Sequence, residues 1–421
     1  MISGLLSDWR EGLDAGDLSP VFLAMRCHER MDAFEARLNA TVYRDREVSL
    51  AAACRAEERL AEGERGPMLG IPVVLKDNLN WKGAPTRNGS RILDGYGSPY
   101  DATVVRRLLE AGAVPVAKAN MDEFAMGSSG EHSAFGPTRN PWDATRVPGG
   151  SSSGSIVSVA AGYAPFALGT DTGGSVRLPA SFCNVTALRP TYGVLSRSGV
   201  TAMASSLDQV GPVAASARDL AAGLAVMAGR DPLDATSLDL PDAERLPRLQ
   251  PGRLKGLKIG LPKEYFGNGI DAGVRHVLET AIGRLSAEGA EVVEVSLPST
   301  AYAIETYYLI CTSEVSSNMS RFDGLRYGRY GEADTLQGMI SETRNDGFGP
   351  EVKRRVLLGA FCLSKGYYDA FYLKALKART LIAKDFTEAF RQVDLLVTPV
   401  SPAVAFKAGS RTEDPLAMYM A

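Results

Sequence analysis

Between residues 126 and 155 the chain loses its apolar periodicity and becomes a run rich in Gly, Ser, Pro, Asn and Thr. A structureless stretch of that length inside a compact domain is uncommon unless it is functional or disordered. Its flanks argue for function, because both read as core. Upstream, Gly70-Ile-Pro-Val-Val-Leu-Lys76 reads as a buried strand with Lys76 at or just past its end. Thr103 to Gly112 follows as a helix and Ala113 to Lys118 as the next strand. Downstream, Ser155 to Gly162 reads as a helix of small residues and Phe166 to Thr170 as a strand. This alternation predicts an α/β fold.

The remaining segments extend that pattern. Residues 1–66 are rich in Ala, Leu and Glu with no Gly/Pro cluster before Gly66-Pro67, which predicts a helical segment packing on the core. A helix is expected around Ala215–Met227. The turn-rich, acidic Gly229–Arg253 is the expected crossing between two halves of the chain. Strands are expected at Lys255–Leu261, Ala290–Leu297 and Asp394–Thr398, with helices at Gly273–Leu285 and Glu351–Phe390.

Composition narrows the chemistry. The net charge of −3 gives no basic field for nucleic acid, so an RNA substrate would be held elsewhere. No run of 18 apolar residues occurs and MISGLLSDWREG lacks the pattern of a signal peptide, so neither a membrane span nor export is expected. The five cysteines form no CxxC and suggest neither zinc nor a disulfide framework, which fits a reducing cytoplasm. His28, His132 and His276 are the only histidines, so a His-built metal site would need nearly all of them.

Two glycine-serine clusters stand close together: Pro148-Gly-Gly-Ser151-Ser-Ser-Gly-Ser155 and Asp171-Thr-Gly-Gly-Ser175. Such clusters are most often plain turns, yet their consecutive N–H groups can also converge on an anion. Gly149-x4-Gly154-Ser155 has a P-loop outline but lacks its Lys. Gly150-x-Ser152-x-Gly154 matches a nucleophile elbow, but the only downstream histidine, His276, lies in an amphipathic helix pattern. The third reading is Ser–Ser–Lys. A buried, neutral lysine can serve as base, and a second serine can bridge it to the nucleophile.

At these residues the sequence resembles the amidase signature family, from about Gly70 onward. The resemblance rests on Gly70 to Asn78, Pro148 to Ser155 and Asp171-Thr-Gly-Gly-Ser-Val-Arg-Leu-Pro-Ala-Ser-Phe-Cys183. It implies a large mixed β-sheet covered by helices on both faces. It also implies Ser175 as acyl-forming nucleophile, Ser151 after a cis peptide as bridging serine, and Lys76 as base. The N–H groups of Thr172, Gly173, Gly174 and Ser175 would form the oxyanion hole. Within the family the chain is most similar to the glutamine-hydrolysing A subunits of tRNA-dependent amidotransferases, through Met121–Gly127, Ser133–Trp142, Ser205–Gly211, Ser316–Gly324, Glu351–Arg355 and Asp414–Tyr419.

That likeness implies ammonia release from glutamine by a cytoplasmic subunit with no metal and no cofactor of its own. The ammonia would pass to a B subunit that uses ATP and Mg to amidate Glu (or Asp) on charged tRNA, converting Glu-tRNA(Gln) to Gln-tRNA(Gln), in a complex braced by a C subunit. Arg355 stands where the glutamine α-carboxylate is clamped, the alternative being a surface ion pair within Glu351-Val-Lys-Arg-Arg355. Tyr307 or Tyr308 would line the same pocket.

Ser153, Asn184 and Ala187 replace family glycines. The family also continues past the point where this sequence stops, through an Asp for the substrate α-amino group and further core strands. Residues 67–421 are therefore expected to form an amidase signature domain without its C-terminal strands. Two other activities stay open: a stand-alone amidase on another amide, and a non-catalytic, partner-binding chain.

Overall fold

The computed structural model describes residues 4–412 apart from 242, 244–245, 247–253 and 268. Along the chain lie α1 (Leu6–Ala15), α2 (Pro20–Leu38), β1 (Thr41–Tyr43), α3 (Arg46–Ala61), β2 (Pro72–Lys76), α4 (Thr103–Glu110) and β3 (Val114–Ala119). Then come α5 (Ser153–Ala160), β4 (Phe166–Asp171), α6 (Arg177–Cys183), β5 (Thr186–Ala187), β6 (Gln209–Ala214) and α7 (Ala217–Met227). The remainder comprises β7 (Lys258–Pro262), α8 (Ala272–Ala287), β8 (Glu291–Val295), α9 (Ala303–Met319), α10 (Leu336–Gly347), α11 (Pro350–Leu363), α12 (Lys374–Ala389) and β9 (Leu395–Leu396).

These elements form two compact units, one of Met1–Leu249, Asn318–Arg354 and Lys407–Ser410, the other of Gln250–Ser317, Arg355–Phe406 and Arg411–Ala421. The first holds a six-stranded sheet in the order β1-β3-β2-β4-β6-β5. β2 runs parallel to β3 and β4, whereas β1, β5 and β6 pair antiparallel with their neighbours. The expected α/β architecture, a mixed sheet with helices on both faces, is the one the chain adopts. Its strands are divided over two sheets, since the second unit has its own three-stranded parallel sheet, β8-β7-β9. A small core of Val295, Leu297, Ala389 and Val393 packs there.

The N-terminal helical segment is interrupted. Gly16 and Asn39 close α1 and α2 in the left-handed conformation, and Asp45 caps α3 by accepting the Val48 N–H at 3.0 Å. The β-branched and aromatic trio Thr41-Val-Tyr43 between them adds β1 to the sheet edge. β6 was not expected, because Gly211 and Pro212 break its apolar pattern; β9 is shorter than expected. Asn184 takes φ 56° as the C-cap of α6, a position where Asn stands in for Gly. The crossing expected at Gly229–Arg253 lies partly outside the described residues.

Strands β2, β3, β4 and β6 are buried along their whole length, which is why β2, β3 and β4 read as apolar runs rather than alternations. Phe166 opens β4 and is fully buried. Its ring fills the notch left by Gly223 of α7, where an added Cβ would lie 2.2 Å from Phe166 Cζ. Gly223→Ala would gain helix propensity on an exposed face. Here overpacking decides, and the variant is expected to lose about 1–3 kcal/mol in urea denaturation.

Candidate active site

Lys76 ends β2 with no solvent exposure. Its Nζ lies 2.8 Å from Ser151 Oγ, 2.9 Å from Ser152 Oγ and 2.9 Å from Thr170 Oγ1. Asn78 Nδ2 donates to the same Thr170 hydroxyl at 3.0 Å. Among the described residues no carboxylate is ion-paired with this amine. Burial pulls its pKa down to about 7, against the opposing fields of Asp122, Asp171 and Asp208. Near physiological pH the amine is thus poised between its charged and neutral forms.

The Gly150–Ser151 peptide is cis. Gly150 N–H donates to Ser128 O at 2.7 Å, and Asp122 N–H to Ser151 O at 3.2 Å. Position 150 must be glycine, since a Cβ would sit 2.0 Å from Asp122 Oδ2. The Asp122 carboxylate is held by the N–H groups of Gly130 (3.0 Å) and His132 (2.9 Å). Ser153 is the first residue of α5 and needs no positive φ; its hydroxyl meets Thr138 Oγ1 at 3.1 Å. The departure from glycine at this position is therefore harmless to the loop.

β4 delivers the second cluster. Asp171, at its end, is fully buried and organises the turn that follows. Its carboxylate accepts Gly174 N–H (2.8 Å), Val176 N–H (3.2 Å) and both Nε and a terminal nitrogen of Arg177 (3.0 Å each), with Arg189 Nε 3.3 Å away. Burial raises the Asp171 pKa, but the bonds and charges of Arg177 and Arg189 outweigh it and leave the carboxyl below its usual range. Ser175 follows at 9% exposure, and Ser152 N–H donates to Ser175 O at 3.1 Å, tying the two clusters together.

The expected set of oxyanion donors changes. Gly174 N–H is committed to Asp171, so it does not face an incoming oxygen. Among the described residues, the N–H groups of Thr172, Gly173 and Ser175 have no hydrogen-bond acceptor within the protein.

Arg355, Tyr307 and Tyr308 lie together in the second unit. Arg355 is 4% exposed with its guanidinium 5.6 Å from the Tyr308 ring centroid, a buried setting and not a surface one. Its neighbour Arg354 is half exposed and paired with Glu351. The tyrosine rings meet edge to face at 5.1 Å, and burial pushes the Tyr307 hydroxyl pKa well up. Sequence reasoning missed Ser152, Thr170, Asn78, Asp122 and Asp208. Ser152, Asn78, Asp122 and Asp208 lie inside quoted motifs and Thr170 adjoins one, which was the one signal pointing to them. No group of His, Cys, Asp and Glu that could hold a metal ion occurs among the described residues.

A protein-family model described as Amidase matches residues 23–421. The chain is 54% identical to the A subunit of glutamyl-tRNA(Gln) amidotransferase from Carboxydothermus hydrogenoformans, over 97% of this chain and 85% of that protein. The crystal structure of the A subunit of the same name from Thermotoga maritima superposes with a TM-score of 0.77 at 41% identity, covering 95% of this chain and 80% of that one. Native peptide amidase from Stenotrophomonas maltophilia superposes at 0.82 with 32% identity, covering 96% and 85%.

The Asp171 network carries a stability consequence. Asp171→Ala strips the counter-charge from two arginines and the acceptor from several N–H groups, with an expected loss of about 3–5 kcal/mol by chemical denaturation. Because its folded pKa is lowered, the carboxylate contributes fully above its unfolded value of about 3.9. That contribution disappears as the pH falls through the lower folded value, so acid unfolding of the wild type should show a transition that the variant lacks.

Proposed function

The chain belongs to the amidase family, and on that premise we propose that it is the glutamine-hydrolysing A subunit of a tRNA-dependent amidotransferase, with Ser175 as its nucleophile. The observation that carries the reading is the buried, carboxylate-free Lys76 at 2.8 Å from Ser151 Oγ.

Proton accounting supports this direction of transfer. The single Ser152 hydroxyl proton goes to Thr170 O at 3.0 Å, while Ser152 Oγ also accepts Thr170 N–H at 3.2 Å. Lys76 must therefore donate to Ser152 Oγ. A neutral amine has two N–H groups and one lone pair; with the second N–H on Thr170 Oγ1, the lone pair is left for the Ser151 hydroxyl. Ser175 Oγ attacks the carboxamide carbon as its proton passes to Ser151 Oγ and that of Ser151 passes to Lys76. The tetrahedral oxyanion is received by the N–H groups of Thr172, Gly173 and Ser175. The relay returns the proton to the leaving nitrogen, ammonia departs, and a γ-glutamyl ester remains on Ser175. Water then attacks this ester by the same relay and releases glutamate.

Arg355 offers the planar fork that suits the glutamine α-carboxylate, with Tyr307 and Tyr308 beside it. The relatives work in an amidotransferase assembly, and the finer arrangement follows from the same reading. The B subunit receives the ammonia and, using ATP and Mg, amidates Glu (or Asp) on charged tRNA; the C subunit holds the complex together. A cytoplasmic site suits a tRNA-linked reaction. Among the described residues no helix is long and apolar enough to cross a membrane.

In the complex with the B and C subunits, Ser175→Ala and Lys76→Ala should each lower ammonia release from glutamine on the order of 10⁴-fold or more. Full activity of Ser175→Ala would overturn the assignment. The wild-type rate should rise with pH through about 7, as Lys76 loses its proton. The likeness to a peptide amidase supports a second reading, and partner-free hydrolysis of other amides with no preference for glutamine would favour it.

A further inference from the structure

In the antiparallel pair of β4 and β6, Asp171 stands opposite Gln209. That is the last pair of the register; the next residues beyond it are Thr172 and Asp208. The backbone ladder ends here because the chain leaves β4 for the Ser175 turn. A side-chain bond continues it: Thr172 Oγ1 donates to Asp208 Oδ1 at 2.7 Å. The other carboxylate oxygen accepts the N–H groups of Met203 (2.9 Å) and Ala204 (3.0 Å), which anchors Asp208 to the turn before β6. Asn318 Nδ2 closes that turn by donating to Met203 O at 3.0 Å.

We propose that Asp208 is a positioning residue for the oxyanion donors: through the Thr172 hydroxyl it fixes the direction of the Thr172 N–H. The inference rests on Ser175 being the nucleophile. The Asp171–Thr172 peptide is a rigid plane, so its N–H direction is set by what holds its two ends. At one end Arg189 Nε donates to Asp171 O at 3.4 Å. At the other, the Asp208 bond locks the stiff χ1 of a β-branched residue. Thr172 and Asp208 are 5% and 6% exposed, so water does not readily replace either partner. Without Asp208 the plane is held at one end only, and a donor whose value depends on preorganisation loses it.

A second property separates Asp208 from a merely structural carboxylate. It is one of the three aspartates whose fields raise the Lys76 pKa. Asp208 also borders a cavity of about 260 Å³, from which Arg197, Asp234 and Arg321 face it. Burial pushes its own pKa up to about 6, against the Thr172, Met203 and Ala204 bonds and the Arg197 charge. Asp208→Asn therefore has two separable effects. It weakens the grip on Thr172, and it removes a negative field from Lys76, so that the lysine loses its proton at lower pH.

The test uses the full chain as wild type, Asp208→Asn, Thr172→Val and the double variant. The readouts are the rate of covalent labelling of Ser175 by a fluorophosphonate, and kcat and KM for glutamine in the assembled complex. Each single variant should label roughly 10- to 100-fold more slowly, short of the 10²–10³ for deleting an oxyanion donor, with kcat reduced and KM held. The double variant should be no slower than the slower single one, because both break the same bond. The pH limb of labelling should move to lower pH in Asp208→Asn and stay in place in Thr172→Val. An unchanged rate in Thr172→Val, additive losses in the double variant, or an unmoved limb in Asp208→Asn would overturn the proposal. Should Asp208→Asn fail to fold, Thr172→Val alone decides by its rate. Absence of labelling in the wild type would instead strike at the Ser175 assignment itself.

Discussion

An amine buried without a carboxylate partner is the constraint around which the first unit is arranged. Lys76 is surrounded by hydroxyls, which solvate either protonation state at moderate cost, and not by an anion that would fix it as ammonium. Desolvation favours loss of its proton. Asp122, Asp171 and Asp208 oppose that from a distance, and the balance lies close to neutrality. Each of those carboxylates has its own bonding satisfied elsewhere. Asp122 is occupied by Gly130 and His132, Asp171 by the Ser175 turn and two arginines, and Asp208 by Thr172 and the Met203–Ala204 turn. The aspartates that tune the lysine are thus also the ones that hold the two serine loops in shape, so replacing any one of them alters electrostatics and loop geometry together.

The sequence makes some of this arrangement legible and hides the rest for physical reasons. Lys76 stands out because β2 is buried on both faces, which produces an unbroken apolar run ending in a charge. The irregular stretch around Ser151 stands out because helix and strand periodicities both vanish there. β6 stays hidden because a strand containing Gly211 and Pro212 has neither signal, even though it is buried throughout. Lys118 shows the limit of the Lys76 argument. It too follows an apolar strand pattern and is fully buried, but its amine bonds to Leu79 O and Thr86 Oγ1 and, among the described residues, to no serine. Only the folded neighbourhood separates a lysine held by a carbonyl from one that faces two serine hydroxyls.

Residue roles drawn from motif position also needed the structure. Gly174 lies inside the motif but spends its N–H on Asp171, whereas Ser153, a departure from the motif, costs nothing because a helix begins there. Arg355 sits in a charged run that reads as surface, yet it is buried against Tyr308 while its neighbour Arg354 is the exposed one. Helix phase decided between those two arginines, and adjacent positions on a helix point about 100° apart. Asp208 lies inside a quoted motif, but its bond to Thr172 becomes visible only when β4 and β6, distant in sequence, are paired.

The first unit draws its chain from three separated stretches. A ribosome delivers Lys76, both serine loops and Asp208 early, but Asn318 emerges only after all of residues 250–317 have been made. The Met203 carbonyl that Asn318 secures belongs to the turn gripping Asp208. The back wall of the Ser175 turn is therefore among the last parts of this unit to be completed during synthesis, so a nascent chain carries Ser175 before it carries the brace behind it.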